Sequence, residues 1–193
     1  MITSEGVREV KNLIGPYRKD RIVLCSADAS PQRSQRKTSD YAFAFFPGAK
    51  WVGMAANAGT TLGCKFVILT TAYGMVDPFD SISPYDLHID DDTALVERNW
   101  RRTIPVLLGK RRYDLLLFYA GGCPKEAYLQ VLIPILHENL ISLLTFGRAN
   151  MYDSGKIEDI FRLLVKGTDL DGLRSALKYP EYLEFSPPSK GSW

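Results

Sequence analysis

YDLLLFYAGGCPKEAYLQVLIPILHENLISLLTF, residues 113–146, is the stretch that decides the fold of this chain. Its two ends, Tyr113–Tyr119 and Leu140–Phe146, are apolar runs of strand length, and Pro124–Glu138 between them carries a helical apolar stripe. A strand, a helix and a second strand in this order are typical of a βαβ unit with parallel strands. Pro134 falls inside the stripe and is expected to kink the helix.

Two apolar runs upstream repeat this alternation. Arg21–Cys25 and Phe66–Thr70 have the length and composition of strands that are buried on both faces, while Trp51–Leu62 and Thr93–Leu108 have helical length. The alternation predicts a three-layer α/β fold, with a mostly parallel sheet of about four strands flanked by helices.

Both ends of the chain are predicted to be helical. Thr3–Leu13 has the pattern of an amphipathic opening helix, and Ile157–Val165 and Leu170–Leu177 form two short helices after the fourth strand. Asp169 stands where it can cap the second of these helices. We therefore expect a helical C-terminal extension over residues 155–180.

Length and composition indicate one domain. The chain has 193 residues, of which 46% are hydrophobic and 24% charged, and these values are ordinary for a soluble globular protein. They exclude a disordered, collagen-like or coiled-coil chain. We expect a single α/β domain over residues 1–193, with its core at about 21–146 and a loose tail at 187–193.

Cysteine usage and the first residues indicate the compartment. Cys25, Cys64 and Cys123 form no CxxC pair, so we expect neither a disulfide framework nor a cysteine zinc site, and we predict no metal and no cofactor. The opening residues are charged and contain no apolar signal segment, and no uncharged run is suited to span a membrane. We expect a cytoplasmic protein with no membrane partner. These features leave the oligomeric state open.

Two long connections give the first indication of function. Ser26–Lys50 and Tyr73–Asp92 each follow the carboxyl end of a predicted strand, which is the edge at which open α/β sheets bind ligands. Within the second, Tyr73–Asp86 combines a glycine turn, two prolines, two tyrosines and the carboxylates of Asp77 and Asp86. Such a loop suits a planar polar ligand such as a nucleobase, held by stacking and by edge hydrogen bonds. The same residues fit an ordinary solvated loop equally well.

The same loop resembles a motif of a known family. The YaaA-like superfamily and its smaller bacterial and phage relatives share its pattern, which is Tyr73-Gly74-x-x-Asp77-Pro78-x-x-x-Ile82-x-Pro84-Tyr85-Asp86. Two further segments match these relatives in the same order, namely Leu24-Cys25 at a strand end and Ala120-Gly121-Gly122 followed by Tyr128 and Leu132. The resemblance spans about Ile22–Leu136.

The resemblance implies a protein that works on DNA or beside modified nucleobases. The long YaaA proteins resemble DNA-binding proteins linked to oxidative stress. This chain departs from the pattern at two places, because Ser26-Ala27-Asp28 and Ala72 stand where the relatives usually have lysines. Loss of a lysine removes a phosphate or carbonyl contact, so the substrate of the relatives does not carry over directly.

Candidate roles follow for the residues of these segments. Asp77 and Asp86 are the candidate catalytic carboxylates, because hydrolysis of an N-glycosidic bond needs a charge beside the oxocarbenium-like sugar and a proton for the base. The candidate ligand-binding residues are Cys25, Ser26, Tyr73, Gly74, Pro84, Tyr85, Gly121, Gly122 and Tyr128. Cys25 also fits an inert core residue. The set Asp86-x-His88-x-Asp90 is not diagnostic of a metal site.

The net charge of +2 conceals an uneven distribution. Residues 77–97 contain seven carboxylates and no lysine or arginine, whereas residues 98–112 contain six basic residues. For the basic residues that open this second stretch we favour ion pairs with Glu97 and its acidic neighbours at helical spacing. The candidate phosphate or nucleic-acid contacts are Arg33, Arg36, Lys37 and Arg148. Plain solvation is an equal alternative for the first three.

Two functions are consistent with these features. The first is a nucleobase- or nucleotide-binding protein that acts as an N-glycosidase-like hydrolase on a nucleotide or nucleic acid. The alternative is a non-catalytic DNA- or RNA-binding accessory protein of a stress-response or nucleic-acid-modification system, whose binding depends on salt. A scaffold with a vestigial pocket is a third possibility.

Overall fold

The structure, a computed structural model, describes residues 16–28, 38–46, 50–109, 112–119, 125–146, 154–176 and 184–187. The strands in these ranges are β1 (Ile22–Ala27), β2 (Asp40–Tyr41), β3 (Lys65–Thr70), β4 (Gly74–Val76), β5 (Ser81–Ile82), β6 (Leu115–Tyr119), β7 (Ser142–Phe146) and β8 (Glu184–Ser186). The helices are α1 (Ala42–Phe45), α2 (Lys50–Leu62), α3 (Thr93–Leu108), α4 (Lys125–Glu138), α5 (Ser154–Lys166) and α6 (Leu170–Ala176), and a 3-10 turn over Lys19–Arg21 precedes β1.

The central sheet has six strands in the order β4-β3-β1-β6-β7-β8. The four inner strands are parallel, while β4 and β8 run antiparallel at the two edges. The prediction of an α/β fold with a mostly parallel sheet is therefore confirmed. The expected number of about four strands counts only the inner ones, since the edge strands have three residues each and leave little pattern in the sequence.

Each face of the sheet is covered by its own apolar cluster. Alternate residues of β1 point to opposite faces, so that Ile22 and Leu24 join the cluster beneath α2, α5 and α6. Val23 and Cys25 join the cluster beneath α3 and α4. All four side chains are fully buried, which explains why β1 is a continuous apolar run.

The C-terminal part packs into these layers. Helix α5 contacts α2, and β8 pairs with β7 through Leu144 and Phe185, so the residues after β7 complete one face and one edge of the sheet. The predicted cap of α6 is confirmed, because the N–H of Gly172 donates to Asp169 Oδ1 at 2.7 Å. The predicted opening helix Thr3–Leu13 and the end of the predicted tail lie outside the described residues.

The predicted starts of two strands are too early. Leu140 has a φ of 59°, a left-handed conformation that no strand residue adopts, and β7 begins at Ser142. Strand β6 begins at Leu115, two residues after the predicted start at Tyr113. Helix α4 continues through Pro134 as an α-helix. No helix in the described ranges is both long enough and apolar enough to cross a membrane.

The strand order creates a topological switch point between β1 and β6. After β1 the chain adds β3 on one side and then returns to place β6 on the other, so the connections that leave these two neighbours diverge. In open α/β sheets, ligands bind in the crevice that forms there, outside the carboxyl ends of the strands.

The two long connections pair with each other. Strand β2 from the first and β5 from the second form a small antiparallel sheet, with Tyr41 opposite Ser81. The N–H of Ala42 donates to the carbonyl of Asp80 at 2.8 Å, which extends the contact into α1. The connections are therefore an ordered unit of the fold.

Candidate functional site at the carboxyl edge of the sheet

A buried carboxyl group lies at the switch point, where β1 ends. Asp28 follows β1 directly and its side chain is 0% exposed. Its Oδ2 accepts hydrogen bonds from the Tyr85 hydroxyl at 2.5 Å and the Thr71 N–H at 3.1 Å, and its Oδ1 accepts one from the Tyr128 hydroxyl. We call these four residues the Asp28 cluster.

The cluster joins groups from both sides of the sheet. Tyr128 comes from α4 and Tyr85 from the loop after β5. Burial raises the pKa of Asp28, although the three donors favour its ionised form and oppose this effect. Burial also raises the pKa of Tyr85 well above its usual value near 10, and the nearby charge of Asp28 adds to this. Tyr85 therefore keeps its proton and acts as the donor.

Helix α3 fixes the turn that carries this part of the loop. The Trp100 indole N–H donates to the carbonyl of Thr70 at 2.8 Å, and the Asn99 side-chain amide donates to the carbonyl of Ala72 at 2.7 Å. Gly74 has a φ of +78°, and a Cβ atom there would lie 2.1 Å from Thr103 Oγ1. The glycine is required because the turn packs directly against the helix.

The two predicted stacking tyrosines do meet, but they contact each other. The rings of Tyr73 and Tyr85 are T-shaped with centroids 5.7 Å apart, and Tyr85 also stacks on Phe45 at 6.2 Å. The Tyr73 hydroxyl accepts from the Ser83 N–H at 3.2 Å. Pro84, next to this contact, is exposed.

Two buried hydroxyl groups at the same edge have no partner. Ser26 Oγ and Thr145 Oγ1 are the buried side-chain polar atoms of the described residues that make no hydrogen bond. They belong to β1 and β7, on either side of β6, and they pair in register with Tyr119 and Phe118, its last two residues. Because Tyr119 and Phe118 belong to different apolar clusters, Ser26 and Thr145 lie on opposite faces of the sheet. An unsatisfied buried hydroxyl costs about 1–3 kcal/mol, so each of the two calls for a ligand or water of its own.

Three of the predicted site residues lie elsewhere. Cys25 is fully buried in the cluster beneath α3 and α4. Asp86 is exposed to solvent. Asp77 follows β4 and its carboxylate forms an ion pair with Lys65, the first residue of β3. The structure therefore does not bring the two candidate catalytic carboxylates together.

Asp77 lines an open cleft at the amino end of β3. The cleft has a volume of about 550 Å³, and its walls include Phe43, Asn57, Thr60, Lys65, Asp77 and Phe79. Partial burial raises the pKa of Asp77, but hydrogen bonds from Lys65 and from the N–H of Phe79 outweigh it, and the net effect lowers the pKa. Asp77 is therefore ionised at neutral pH. Burial raises the pKa of Cys64 in the same wall to about 11, which keeps its thiol protonated.

Several predicted contacts fall outside the described residues, namely Gly121, Gly122, Arg33, Arg36, Lys37 and Arg148. The nucleic-acid interface built on the last four stays a prediction. In the described ranges, no three His, Cys, Asp or Glu side chains come together to hold a metal, and this includes the set around His88. The predicted helical ion pair is confirmed for Arg101, whose guanidinium lies 2.8 Å from Glu97 and also contacts Glu138.

Sequence reasoning missed the residues that organise the Asp28 cluster and the cleft beside Lys65. In the sequence, Asp28 stands out only as a departure from the family pattern, although an acid directly after a fully buried strand is itself a signal, since Asp is rarely buried without partners. Thr145 is hidden in an apolar run. Lys65 and Phe79 gave no signal, because their significance depends on the pairing of β3 with β4 and of β2 with β5.

The fold defines an α/β protein with a mostly parallel sheet. The Asp28 cluster adds buried polar groups at the carboxyl edge of this sheet. Comparisons with models of known protein families, with curated proteins and with solved structures find no match to this chain. The relation to the YaaA-like superfamily therefore rests on the motif alone and stays a prediction.

Proposed function

We propose that the protein binds a nucleobase or nucleotide at the carboxyl edge of the sheet, beside the switch point. The observation that carries this proposal is the pair of unpartnered buried hydroxyls, Ser26 and Thr145, at the ends of strands that flank β6. The two hydroxyls lie on opposite faces of the sheet, so a ligand that satisfies both must lie across its carboxyl edge, where a phosphate, sugar or base edge supplies the missing hydrogen bonds. Ser26 is one of the ligand-binding residues expected from the sequence.

The surroundings support an anionic group at this edge. Helix α4 connects two parallel strands, so it runs back along the sheet and its N-terminus lies at the carboxyl edge after β6. The N–H groups of a first helical turn attract anions such as phosphate. Tyr128 lies in this turn and is bound to Asp28, which ties the start of α4 to the end of β1.

If the protein hydrolyses an N-glycosidic bond at this edge, Asp28 is the candidate acid. It is the carboxyl group of the edge, whereas Asp77 lies in the cleft beside Lys65 and Asp86 is exposed. Burial raises the pKa of Asp28, and a raised pKa suits a carboxyl group that is to protonate a leaving base. In the role of the acid, a protonated Asp28 would donate to the hydroxyl oxygen of Tyr85 or Tyr128, and that hydroxyl would have to turn away from Asp28 and pass its own proton to the leaving base.

Isothermal titration with AMP, GMP and the free bases tests the binding function. Ser26→Ala and Thr145→Val each remove an unpartnered hydroxyl, so we expect at least about tenfold weaker binding, the equivalent of one hydrogen bond of about 1.4 kcal/mol, with an unchanged or higher melting temperature. Ser142→Ala is the matched control, because Ser142 begins β7 at the opposite edge. Equal binding by the three variants, or none by the wild type, contradicts the proposal.

Release of free base, followed by chromatography, tests the hydrolase part separately. Wild-type protein is expected to release base from a bound nucleotide and Asp28→Asn to bind it without release. Binding without release by the wild type keeps the binding function and removes the hydrolase.

A further inference from the structure

The cleft beside β3 is separate from the carboxyl edge. Lys65 begins β3, so the cleft lies at the amino end of this strand, whereas Asp28 and Thr71 lie where β1 and β3 end. We call it the Lys65–Asp77 cleft. Its volume of about 550 Å³ lies within the range of small-molecule sites, which is about 300–1,000 Å³.

We propose that the Lys65–Asp77 cleft is a second binding site, for a flat ring whose edge carries an N–H group beside a carbonyl oxygen. Cyclic amides and imides have this edge. The inference does not depend on the proposed function, because it rests on different residues at the other end of the strands.

The first argument is an exposed aromatic ring on a rigid turn. Phe79 is 75% exposed, yet its own N–H donates to Asp77 Oδ1 at 3.2 Å. Two hydrogen bonds between Asp80 and Asp77 close the turn. The N–H of Asp80 donates to the Asp77 carbonyl at 3.0 Å, and the N–H of Asp77 donates to Asp80 Oδ2 at 2.8 Å. The ring of Phe79 also packs edge-on against that of Tyr41, with centroids 6.3 Å apart, so it loses little conformational freedom when a flat ligand stacks on its open face.

A second aromatic ring stands in the opposite connection. Phe43 is 43% exposed in the wall of the cleft, and its N–H donates to the carbonyl of Pro78 at 2.9 Å. This bond fixes the spacing between the backbones that carry Phe43 and Phe79. The walls of the cleft therefore contain two partly exposed aromatic side chains, which favours a planar ligand.

The second argument is the ion pair on the wall. The side chains of Lys65 and Asp77 are 32% and 30% exposed, so both keep part of their surface open. An ammonium group has three N–H donors and uses one on Asp77, while each carboxylate oxygen has lone pairs for a further donor. A donor and an acceptor thus lie side by side, and they complement a carbonyl oxygen beside an N–H.

The charge of the pair selects against an ionic ligand. Lys65 and Asp77 compensate each other, so a bound anion would face the carboxylate and a bound cation the ammonium. Asn57 and Thr60 from the end of α2 add neutral polar groups to the wall. A neutral ring with its own donor and acceptor meets all of these groups without an unpaired charge.

Titration of the labelled full chain, followed by amide NMR, tests this site. The probe is quinazolin-4(3H)-one, which has the required edge, and the controls are its N3-methyl derivative and naphthalene-2-carboxylate. We expect saturable shifts at the amides of Lys65 and Phe79 with the probe, and at least about tenfold weaker binding of the methyl derivative. Phe79→Ala and Asp77→Asn are expected to weaken binding of the probe by a similar factor. Val106→Ala, at another exposed apolar residue, is expected to leave it unchanged.

Three results overturn the proposal. They are the absence of saturable shifts with the probe, equal binding of the N3-methyl derivative, and tighter binding of naphthalene-2-carboxylate, which would make the cleft an anion site. Because Phe79 is exposed, Phe79→Ala is expected to fold normally, and its circular dichroism serves as the check. Binding of AMP at the carboxyl edge is expected to persist in this variant, so the two proposals can fail separately.

Discussion

Replacement of Asp28 by asparagine should change how the stability of the protein depends on pH. Burial raises the pKa of Asp28 above its value of 3.8 in an exposed chain. At a pH between 3.8 and the higher pKa of the folded protein, Asp28 has lost its proton in the unfolded chain but keeps it in the folded protein. Unfolding then releases a proton, so the stability that Asp28 contributes is fully present below pH 3.8 and is lost as the pH rises through the folded pKa.

The pH dependence that Asp28 adds to the free energy of unfolding is set by the one proton that this group releases on unfolding. The free energy of unfolding of the wild type, minus that of Asp28→Asn, should fall by up to about 1.4 kcal/mol per pH unit above pH 4 and level off once the folded protein ionises. Tyr128→Phe gives a second measure. The loss of its hydrogen bond to Asp28 should cost about 0.5–1.5 kcal/mol while Asp28 is neutral and about 1.5–3 kcal/mol when it is charged.

Urea unfolding at half-unit steps between pH 4 and pH 8 measures both differences. Asp86→Asn is the matched control for the substitution itself, because Asp86 is exposed. A wild-type minus Asp28→Asn difference that stays level or grows with pH would refute the reasoning. It would show that the three hydrogen-bond donors outweigh burial and hold Asp28 ionised.

Three further changes test other parts of the fold. Gly74→Ala should destabilise the protein by about 2–5 kcal/mol by thermal unfolding, because it combines a left-handed φ with a clash against Thr103; a small loss would mean that α3 can shift. Asp92→Ala removes the N-cap of α3 and should cost about 0.5–2 kcal/mol, which Asp92→Ser should largely restore. Lys65→Met should cost less than about 1 kcal/mol, because its pair with Asp77 is about one-third exposed. This cost should shrink below about pH 4 as Asp77, whose pKa is lowered, takes up its proton, and a cost that grows in acid contradicts the pairing.

The fold was predictable where burial alone decides structure. β1, β3, β6 and β7 are buried on both faces and read as apolar runs, and α3 begins and ends at the predicted residues. The edge strand β8 could not be recognised, because Glu184–Ser186 has one charged, one aromatic and one hydroxyl residue and so shows no apolar alternation. The pairing of β2 with β5 escaped for the same reason, since two-residue strands have no periodicity.

The candidate site was predictable only in part, because it depends on long-range contacts. The tyrosines were recognised as polar aromatic residues in conspicuous loops, and Tyr85 and Tyr128 do meet at one carboxyl group. That this group is Asp28 depends on which strand end lies beneath both hydroxyls, and the sequence does not encode this locally. Asp77 was chosen for the same loop, but the antiparallel turn into β4 carries it to the other end of β3.

The segment that contains β5 connects the two proposed binding sites. Residues 77–85 run from the Lys65–Asp77 cleft, through β5, to the Tyr85 hydroxyl on Asp28, so one short ordered segment has an end in each of the two places. A ligand in the cleft that moves Asp77 would strain the hydrogen bond between Tyr85 and Asp28 at the other end of the segment. Linkage then requires that any change in affinity be mutual. If a compound in the cleft alters the nucleotide binding that we propose at the sheet edge, the affinity for that compound must change by the same factor when the nucleotide is present.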